Sequence, residues 1–291
     1  MTNPGGFLGD SVIFDLHCHT QFSDGALSPE AVITRAAEQG VSVLAITDHD
    51  TIAGVAIAQK AASLVGIELV TGIEFSSQWG KGGVHVVGLD VDLHSPVLAE
   101  AVQLQEQARI VRGRNIAERL SRAGFPGAFE GASRIAGDAI LGRPHFAQYL
   151  VDIGAVKNMN AAFKKYLGTG KPADVKHQWP LMEQVIGWIH AAGGVAVLAH
   201  PAKYELTRTK MCAMIDSFVA AGGDAIEVIS GLQPAAMTED LLRITNTRSI
   251  YASCGSDFHL PGHAWQELGG FGRLPANAKP VWELLGYTSG H

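Results

Sequence analysis

Short apolar runs alternate with longer amphipathic stretches at both ends of the chain. Residues 12–14, 41–46, 67–73, 84–88, 195–199, 225–229 and 250–254 are brief and mostly rich in Val, Ile, Leu and Ala, the pattern of buried strands. Ser28-Pro29-Glu30 supplies an N-cap and a first-turn proline for a helix that stops at Gly40. Residues 51–64 predict a second helix ended by Gly66, and helices over 181–192 and 211–221 end at Gly193-Gly194 and Gly222-Gly223. This alternation predicts a largely parallel sheet or barrel. Trp79-Gly80-Lys81-Gly82-Gly83 reads as a turn, with Glu74 closing the strand before it. The rhythm breaks at residue 95. One long helical stretch runs over 95–123, then a Gly-, Ala- and Arg-rich segment, then more helix to about Tyr166, with no strand pattern before residue 181. The expected organisation is a barrel over 1–98, a helical insertion forming a substrate lid over 99–180, and the rest of the barrel over 181–291.

The polar residues that close these strands are of one chemical kind. His17 and His19 end the first strand two residues apart, so their side chains share a face while Leu16 and Cys18 point the other way. A lone His-x-His is as well explained by two polar residues at a strand terminus. Here Asp24 follows in a Ser-Asp-Gly turn, and Thr47-Asp48-His49-Asp50 arrives one helix later. Glu74, His85, His200, Asp257 and His259 complete the set, and Asp257 and His259 repeat the two-residue spacing. In parallel α/β barrels the C-terminal strand ends meet on one face, where active sites are built. Nitrogen and carboxylate donors in this number suffice for two or three divalent ions with open positions. Asp48 and Asp50 flank His49 without being obvious ligands, and orienting an imidazole suits one of them better than catalysis does.

Composition narrows the class. Hydrophobic residues make up 47% of 291 positions and Gly occurs 34 times, as in a compact, turn-rich α/β protein. No apolar run approaches a bilayer span, and Met1-Thr2-Asn3-Pro4-Gly5-Gly6 carries no signal-peptide pattern. Cys18, Cys212 and Cys254 form no spaced framework, so the expected setting is cytoplasmic and reducing. The net charge of −6 argues against a protein that coats DNA. Its distribution is uneven: between Glu106 and Lys176 twelve Lys/Arg face six Asp/Glu, against ten and twenty-two elsewhere. An acidic body can hold cations, and a basic segment over it can hold an anionic substrate.

His17-Cys18-His19, Ser23-Asp24-Gly25, Thr47-Asp48-His49-Asp50, Gly72-Ile73-Glu74, His200-Pro201 and Gly255-Ser256-Asp257-Phe258-His259 resemble, in order and spacing, the motifs of the polymerase and histidinol phosphatase (PHP) family. The resemblance implies a distorted (β/α)7 TIM-like barrel with a polynuclear centre, manganese being the expected ion and zinc or iron the alternatives. It also implies a ligand partition: His17, His19, Glu74 and Asp257 on one ion; Glu74, His85 and His200 on a second; Asp24, His49 and His259 on a third. Some members carry His where this chain has Asp24. Gly142-Arg143-Pro144-His145, Tyr166-Leu167-Gly168-Thr169-Gly170-Lys171-Pro172 and Ala192-Gly193-Gly194-Val195 resemble the branch that removes the 3′-phosphate of nucleoside 3′,5′-bisphosphates, whose relatives act as 5′→3′ exoribonucleases on short RNA.

That resemblance implies a small nucleotide as substrate, with a short 5′-phosphorylated RNA as the alternative. A hydroxide bridging the metals, held by Glu74 and its neighbours, would attack phosphorus. Arg134 and Arg143 would fork onto phosphate oxygens and Lys171 and Lys176 would act as point charges. His145 would contact the phosphate or protonate the leaving oxygen. The competing readings are a histidinol-phosphate phosphatase, a metal-binding scaffold and an amidohydrolase. The basic insertion, the full ligand set and the lack of a strand-terminal lysine weigh against each in turn.

Overall fold

The computed structural model describes residues 12–176 and 179–287; Met1 to Gly6 and the last four residues of the tail lie outside them. Seven strands form one sheet whose spatial order is their chain order: β1 (Phe14–Asp15), β2 (Val43–Ile46), β3 (Glu68–Trp79), β4 (Gly82–Leu89), β5 (Val195–Leu198), β6 (Ala225–Ser230) and β7 (Tyr251–Gly255). The barrel is closed by backbone beyond the two terminal strands. Leu16 N–H donates to Cys254 O at 3.1 Å, Asp257 N–H to His17 O at 2.8 Å, and Cys18 pairs with Phe258. Gly255 permits this approach, since a Cβ there would lie 2.4 Å from His17 Cβ.

The expected strand over 67–73 is in fact twelve residues long, so Glu74 lies inside β3 rather than at its end. The turn at Gly80-Lys81 makes β3 and β4 an antiparallel hairpin, and the pairing carries the strand on to Trp79. β4 is antiparallel to both neighbours, whereas the other pairs are parallel. A reversed strand meets the ligand-bearing rim near its start, which is where His85 sits, opposite Ser76. β1, by contrast, spans only Phe14–Asp15, and His17 and His19 follow it as irregular backbone.

Helices α1 (Pro29–Glu38), α2 (Val55–Val65), α7 (Met182–Ala191), α8 (Arg208–Ala220) and α9 (Ala235–Thr247) accompany the strands. Ser28 caps α1 by accepting from Ala31 N–H, and Gly66 ends α2 in the left-handed conformation. Alternation along β2 sends Leu44 and Ile46 to a core with Val32, Ile33, Ala58 and Ala62, and Val43 and Ala45 to the larger core with Phe14 and Leu16. Near the C-terminus Trp282 stacks on Phe14 at 4.2 Å, while Leu284 stays exposed.

Between β4 and β5 lie α3 (Pro96–Arg122), α4 (Ala128–Ala136), α5 (Arg143–Asp152), α6 (Met159–Ala162) and a π-helical turn, Phe163–Leu167. They enclose their own core of Ile116, Leu120, Ala132, Phe146, Leu150 and Leu167. The boundary expected at residue 99 falls inside α3, because that helix belongs to both bodies. Its buried residues Leu98, Ala101, Gln105, Arg109, Ile116 and Leu120 follow helical spacing. The first two join the barrel core and the last two the insertion core. The middle pair is polar and reaches into the barrel rim. Gln105 Nε2 donates to Ser76 O at 2.6 Å, and Arg109 donates to Asp50 Oδ2 at 2.6 Å and to Ser76 Oγ at 3.1 Å.

Asp50 is fully buried, so Arg109→Met would strand its charge. We expect a loss of about 3–5 kcal/mol, read as a lower urea midpoint with an unchanged slope.

Candidate metal centre

Five of the candidate histidines converge on Glu74, and Asp24, Asp257 and His259 flank them. Glu74 Oε2 lies 3.4 Å from His17 Nε2, 3.3 Å from His19 Nε2 and 2.8 Å from His49 Nδ1. Its Oε1 lies 2.9 Å from both His85 Nδ1 and His200 Nε2. Asp257 Oδ1 stands 3.6 Å from His17 Nε2 and 3.3 Å from His19 Nε2. Asp24 is 3.3 Å from His259 Nε2 and 3.9 Å from both His19 Nδ1 and His49 Nε2. His200 and Asp257 reach inward only with left-handed backbones, φ 31° and 54°, which is costly for residues with a Cβ.

Four overlapping sets have donor atoms within 4.8 Å of one another: His19, Asp24, His49 and His259; His17, His19 and Asp257; His17, Glu74 and His200; and His49, Glu74 and His85. Glu74 is shared, as expected: its Oε1 meets both His85 and His200, the pair the resemblance puts on one ion, although the four sets group His200 with His17 and His85 with His49. The donors suit divalent ions, and one detail speaks for them directly. Asp24 Oδ1, His49 Nδ1 and Glu74 Oε2 are buried among these neighbours without hydrogen-bond geometry to any.

Charge is concentrated here. Burial alone would raise the Glu74 carboxyl, but the imidazoles of His49, His85 and His17 hold it well below the usual range. Burial would lower His17, yet Glu227, Glu74 and Asp257 together raise it well above an ordinary histidine. His259 is likewise pushed up, to about 10, by Asp24 and Asp257 against its burial. His19 falls to about 3 because it is buried beside His259 and His49. Cations entering this cluster would displace protons from His17 and His259, so uptake weakens as pH falls.

A second layer of residues fixes the ligands. Glu227 accepts from His17 Nδ1–H at 3.1 Å and from His200 N–H at 2.6 Å. It was legible only as a carboxylate inside an otherwise apolar strand. Lys203 Nζ donates to Asp257 Oδ2 at 2.6 Å. The two aspartates flanking His49 do different work from each other. Asp48 accepts from Thr20 N–H, Thr20 Oγ1–H and Ser23 Oγ–H, and that serine lies 3.4 Å from His19 Nδ1. Asp50 orients no imidazole; it takes Ser76 N–H and Arg109.

One cavity opens from the centre towards the insertion. Asp24, His49 and His85 line it together with Arg109, Arg112 and Arg143. Arg112 and Arg109 were not anticipated. Arg112 is pushed down to about 9 by burial and by Arg143 and Arg109, and its Nε has no hydrogen-bond partner. Arg143 is lowered as well, chiefly by burial. Lys176 is exposed on a neighbouring groove that shares Arg112 and Trp179 with this cavity. His145 Nδ1 accepts from Gly142 N–H at 3.0 Å, and burial lowers its pKa. Arg134 and Lys171 are exposed, and neither lines the cavity.

Comparisons with known proteins agree with this architecture. The chain is 43% identical over 272 residues to a protein of Chromobacterium violaceum named 3′,5′-nucleoside bisphosphate phosphatase, covering 93% of this chain and 95% of that one. It is also 43% identical over 276 residues to the Escherichia coli protein named 5′-3′ exoribonuclease Rnm, covering 94% of each. A crystal structure of a proposed metal-dependent phosphoesterase from Bifidobacterium adolescentis superposes with a TM-score of 0.79 at 28% identity, covering 96% of this chain and 97% of that one. The PHP domain family matches residues 15–142, and with relatives of this identity along nearly its whole length the chain belongs to the PHP family.

Proposed function

We propose that this protein is a manganese-dependent phosphatase that removes the 3′-phosphate of nucleoside 3′,5′-bisphosphates. The observation that carries the reading is the shared cavity, in which a cluster of metal-ligand type adjoins three guanidiniums. One phosphate is cleaved at the centre, and Arg112 and Arg143 hold the other. Half-buried guanidiniums with so little compensation favour a second dianion over the ammonium of a histidinol-phosphate-type substrate.

His17, His19, Asp24, His49, Glu74, His85, His200, Asp257 and His259 would hold two or three ions. Bound there, manganese supplies a water of lowered pKa and charge stabilisation for the transferring phosphoryl group. The remaining tasks belong to the chain. Glu227 holds the His17 ring, and Lys203 holds Asp257. Arg112 and Arg143 fix the distal phosphate, so the 3′-ester lies at the centre and its P–O bond is in line for attack. Gly142 N–H donating to His145 Nδ1 leaves the proton of the neutral ring on Nε2, where it can meet a phosphate oxygen or the departing 3′-oxygen. Lys176 extends the positive surface beyond Arg112. Arg134 and Lys171 act at longer range, through the field of the insertion, which serves as the lid over the site.

Metal-stripped protein given adenosine 3′,5′-bisphosphate should release phosphate and 5′-AMP only after manganese is added. Loss of the 5′-phosphate instead, or no release, would overturn the reading.

Arg112→Ala and Arg143→Ala should each lower kcat/KM on the bisphosphate by roughly 10- to 100-fold, as befits a charge-assisted contact. Hydrolysis of 3′-AMP, which lacks the distal phosphate, should change little; an equal loss on both substrates would refute a distal subsite.

Glu227→Gln keeps the shape of the side chain but removes the charge behind His17. Manganese affinity, measured by calorimetric titration, should fall about 10- to 100-fold while the fold persists by circular dichroism.

A further inference from the structure

The chain leaves β5 through a tightly constrained turn. His200 has φ 31°, the 3-10 turn Pro201–Tyr204 follows, and Glu205 has φ 52°. Residues with a Cβ thus stand in the left-handed region on both sides of the turn, a costly arrangement. Its effect is to fold the turn back onto the ligands. Lys203 reaches Asp257, as described above, and Tyr204 reaches β4. The Tyr204 hydroxyl oxygen accepts from His85 N–H at 2.8 Å, and the phenol ring meets the His200 ring edge to face at 5.3 Å.

The first contact completes a strand pair. The register that sets Val86 against Leu198 puts His85 opposite Ala199. Ala199 N–H donates to His85 O at 3.1 Å, and in a hydrogen-bonded antiparallel pair the return bond would run from His85 N–H to Ala199 O. His200 turns the chain away at that point, and the Tyr204 hydroxyl takes the bond instead.

The second contact supplies something His200 otherwise lacks. A metal-binding imidazole usually has its outer nitrogen held by a carboxylate or a carbonyl, as Glu227 holds His17. His200 offers Nε2 to Glu74, and its Nδ1 is buried with no hydrogen-bond partner among the described residues. Packing against other rings must fix its orientation. His17, His85 and Tyr204 pack on it, with centroids 5.6, 5.3 and 5.3 Å away. Of these three, Tyr204 alone is not itself a candidate ligand.

We propose that Tyr204 is the positioning residue for an ion held by His85 and His200. Its hydroxyl sets His85 through the backbone and its ring sets His200, which keeps both imidazoles on Glu74 Oε1, 2.9 Å from each. Both tasks together need a phenol, because phenylalanine has no acceptor and serine or threonine has no ring. The proposal rests on the metal-binding half of the bisphosphatase reading. Tyr204 makes no hydrogen bond or ring contact with Asp24 or His259 among the described residues, so an ion held there is independent of it.

The test is a calorimetric manganese titration of metal-stripped wild type, Tyr204→Phe and Tyr204→Leu, with circular dichroism as the check on folding. In Tyr204→Leu, affinity for one ion should fall about 10- to 100-fold, while the rest of the manganese binds within about twofold of wild type. Tyr204→Phe keeps the ring and loses one hydrogen bond, so the same ion should weaken by only about 3- to 10-fold. Electron paramagnetic resonance at equal loading should show coupled manganese in wild type and more isolated manganese in Tyr204→Leu. A loss shared equally by every ion would make Tyr204 a general support of the barrel and overturn the proposal. A variant of either kind that binds manganese as wild type does also overturns it. If Tyr204→Leu does not fold, Tyr204→Phe decides alone by the same criteria. Wild-type protein that takes up no manganese removes this proposal and the metal-dependent reading together. The titration reads uptake and not turnover, so a loaded wild type that leaves adenosine 3′,5′-bisphosphate intact removes the bisphosphatase reading alone.

Discussion

A single buried carboxylate touches five imidazoles. Glu74 meets His17, His19, His49, His85 and His200 within 3.4 Å, and the carboxylate itself is fully buried. Such a cluster is unfavourable unless charge is balanced on every side. Much of the surrounding architecture supplies that balance. Glu227 stands behind His17, Asp257 and Asp24 stand on either flank, and Lys203 offsets Asp257. The left-handed backbones at His200 and Asp257 are the conformational cost of bringing donors from separate strands to one point. Protons neutralise such a cluster only partly, and divalent ions would do so through the same nitrogen and carboxylate donors.

Much of the site was readable because its chemistry is local in sequence. His17/His19, Asp24, His49, Glu74, His200 and Asp257/His259 each stand in a short polar interruption after an apolar run, and a barrel gathers such interruptions without further information. The strand pattern likewise followed from apolar runs and their glycine stops. What was missed depends on pairing between distant segments. Glu74 looked terminal because Phe75-Ser76-Ser77 lacks a strong apolar signature, and only the hairpin with β4 makes those residues strand. Glu227 looked like one polar residue in a core strand until His17, more than two hundred positions away, gave it a partner. Arg109 and Arg112 were counted among the charges of the insertion, but nothing local separates a buried guanidinium from the solvated ones at Arg119 or Arg122.

The basic insertion is therefore less uniform than its net charge suggests. Arg134 and Lys171 remain at the surface, where solvent and salt screen them. Arg109, Arg112 and Arg143 are drawn inward, where they line the cavity beside the cluster. Arg109 is neutralised by Asp50 and joins the two bodies. Among the described residues no carboxylate lies within hydrogen-bonding distance of Arg112 or Arg143, which leaves their charge available to a visitor.

The same helix carries the join and the recognition. Arg109 and Arg112 lie one turn apart on α3, so the fixed rise of an α-helix, about 1.5 Å per residue, determines how far the anion-holding guanidinium stands from the anchor. Because Arg109 is clamped to the barrel rim, α3 acts as a ruler whose zero mark is Asp50. A single residue inserted between the two arginines would swing Arg112 by about 100° around the helix axis and out of the cavity. If Arg112 holds the distal phosphate as proposed, substrate length is encoded in helix register, and drift that preserves every charged residue would still erase it.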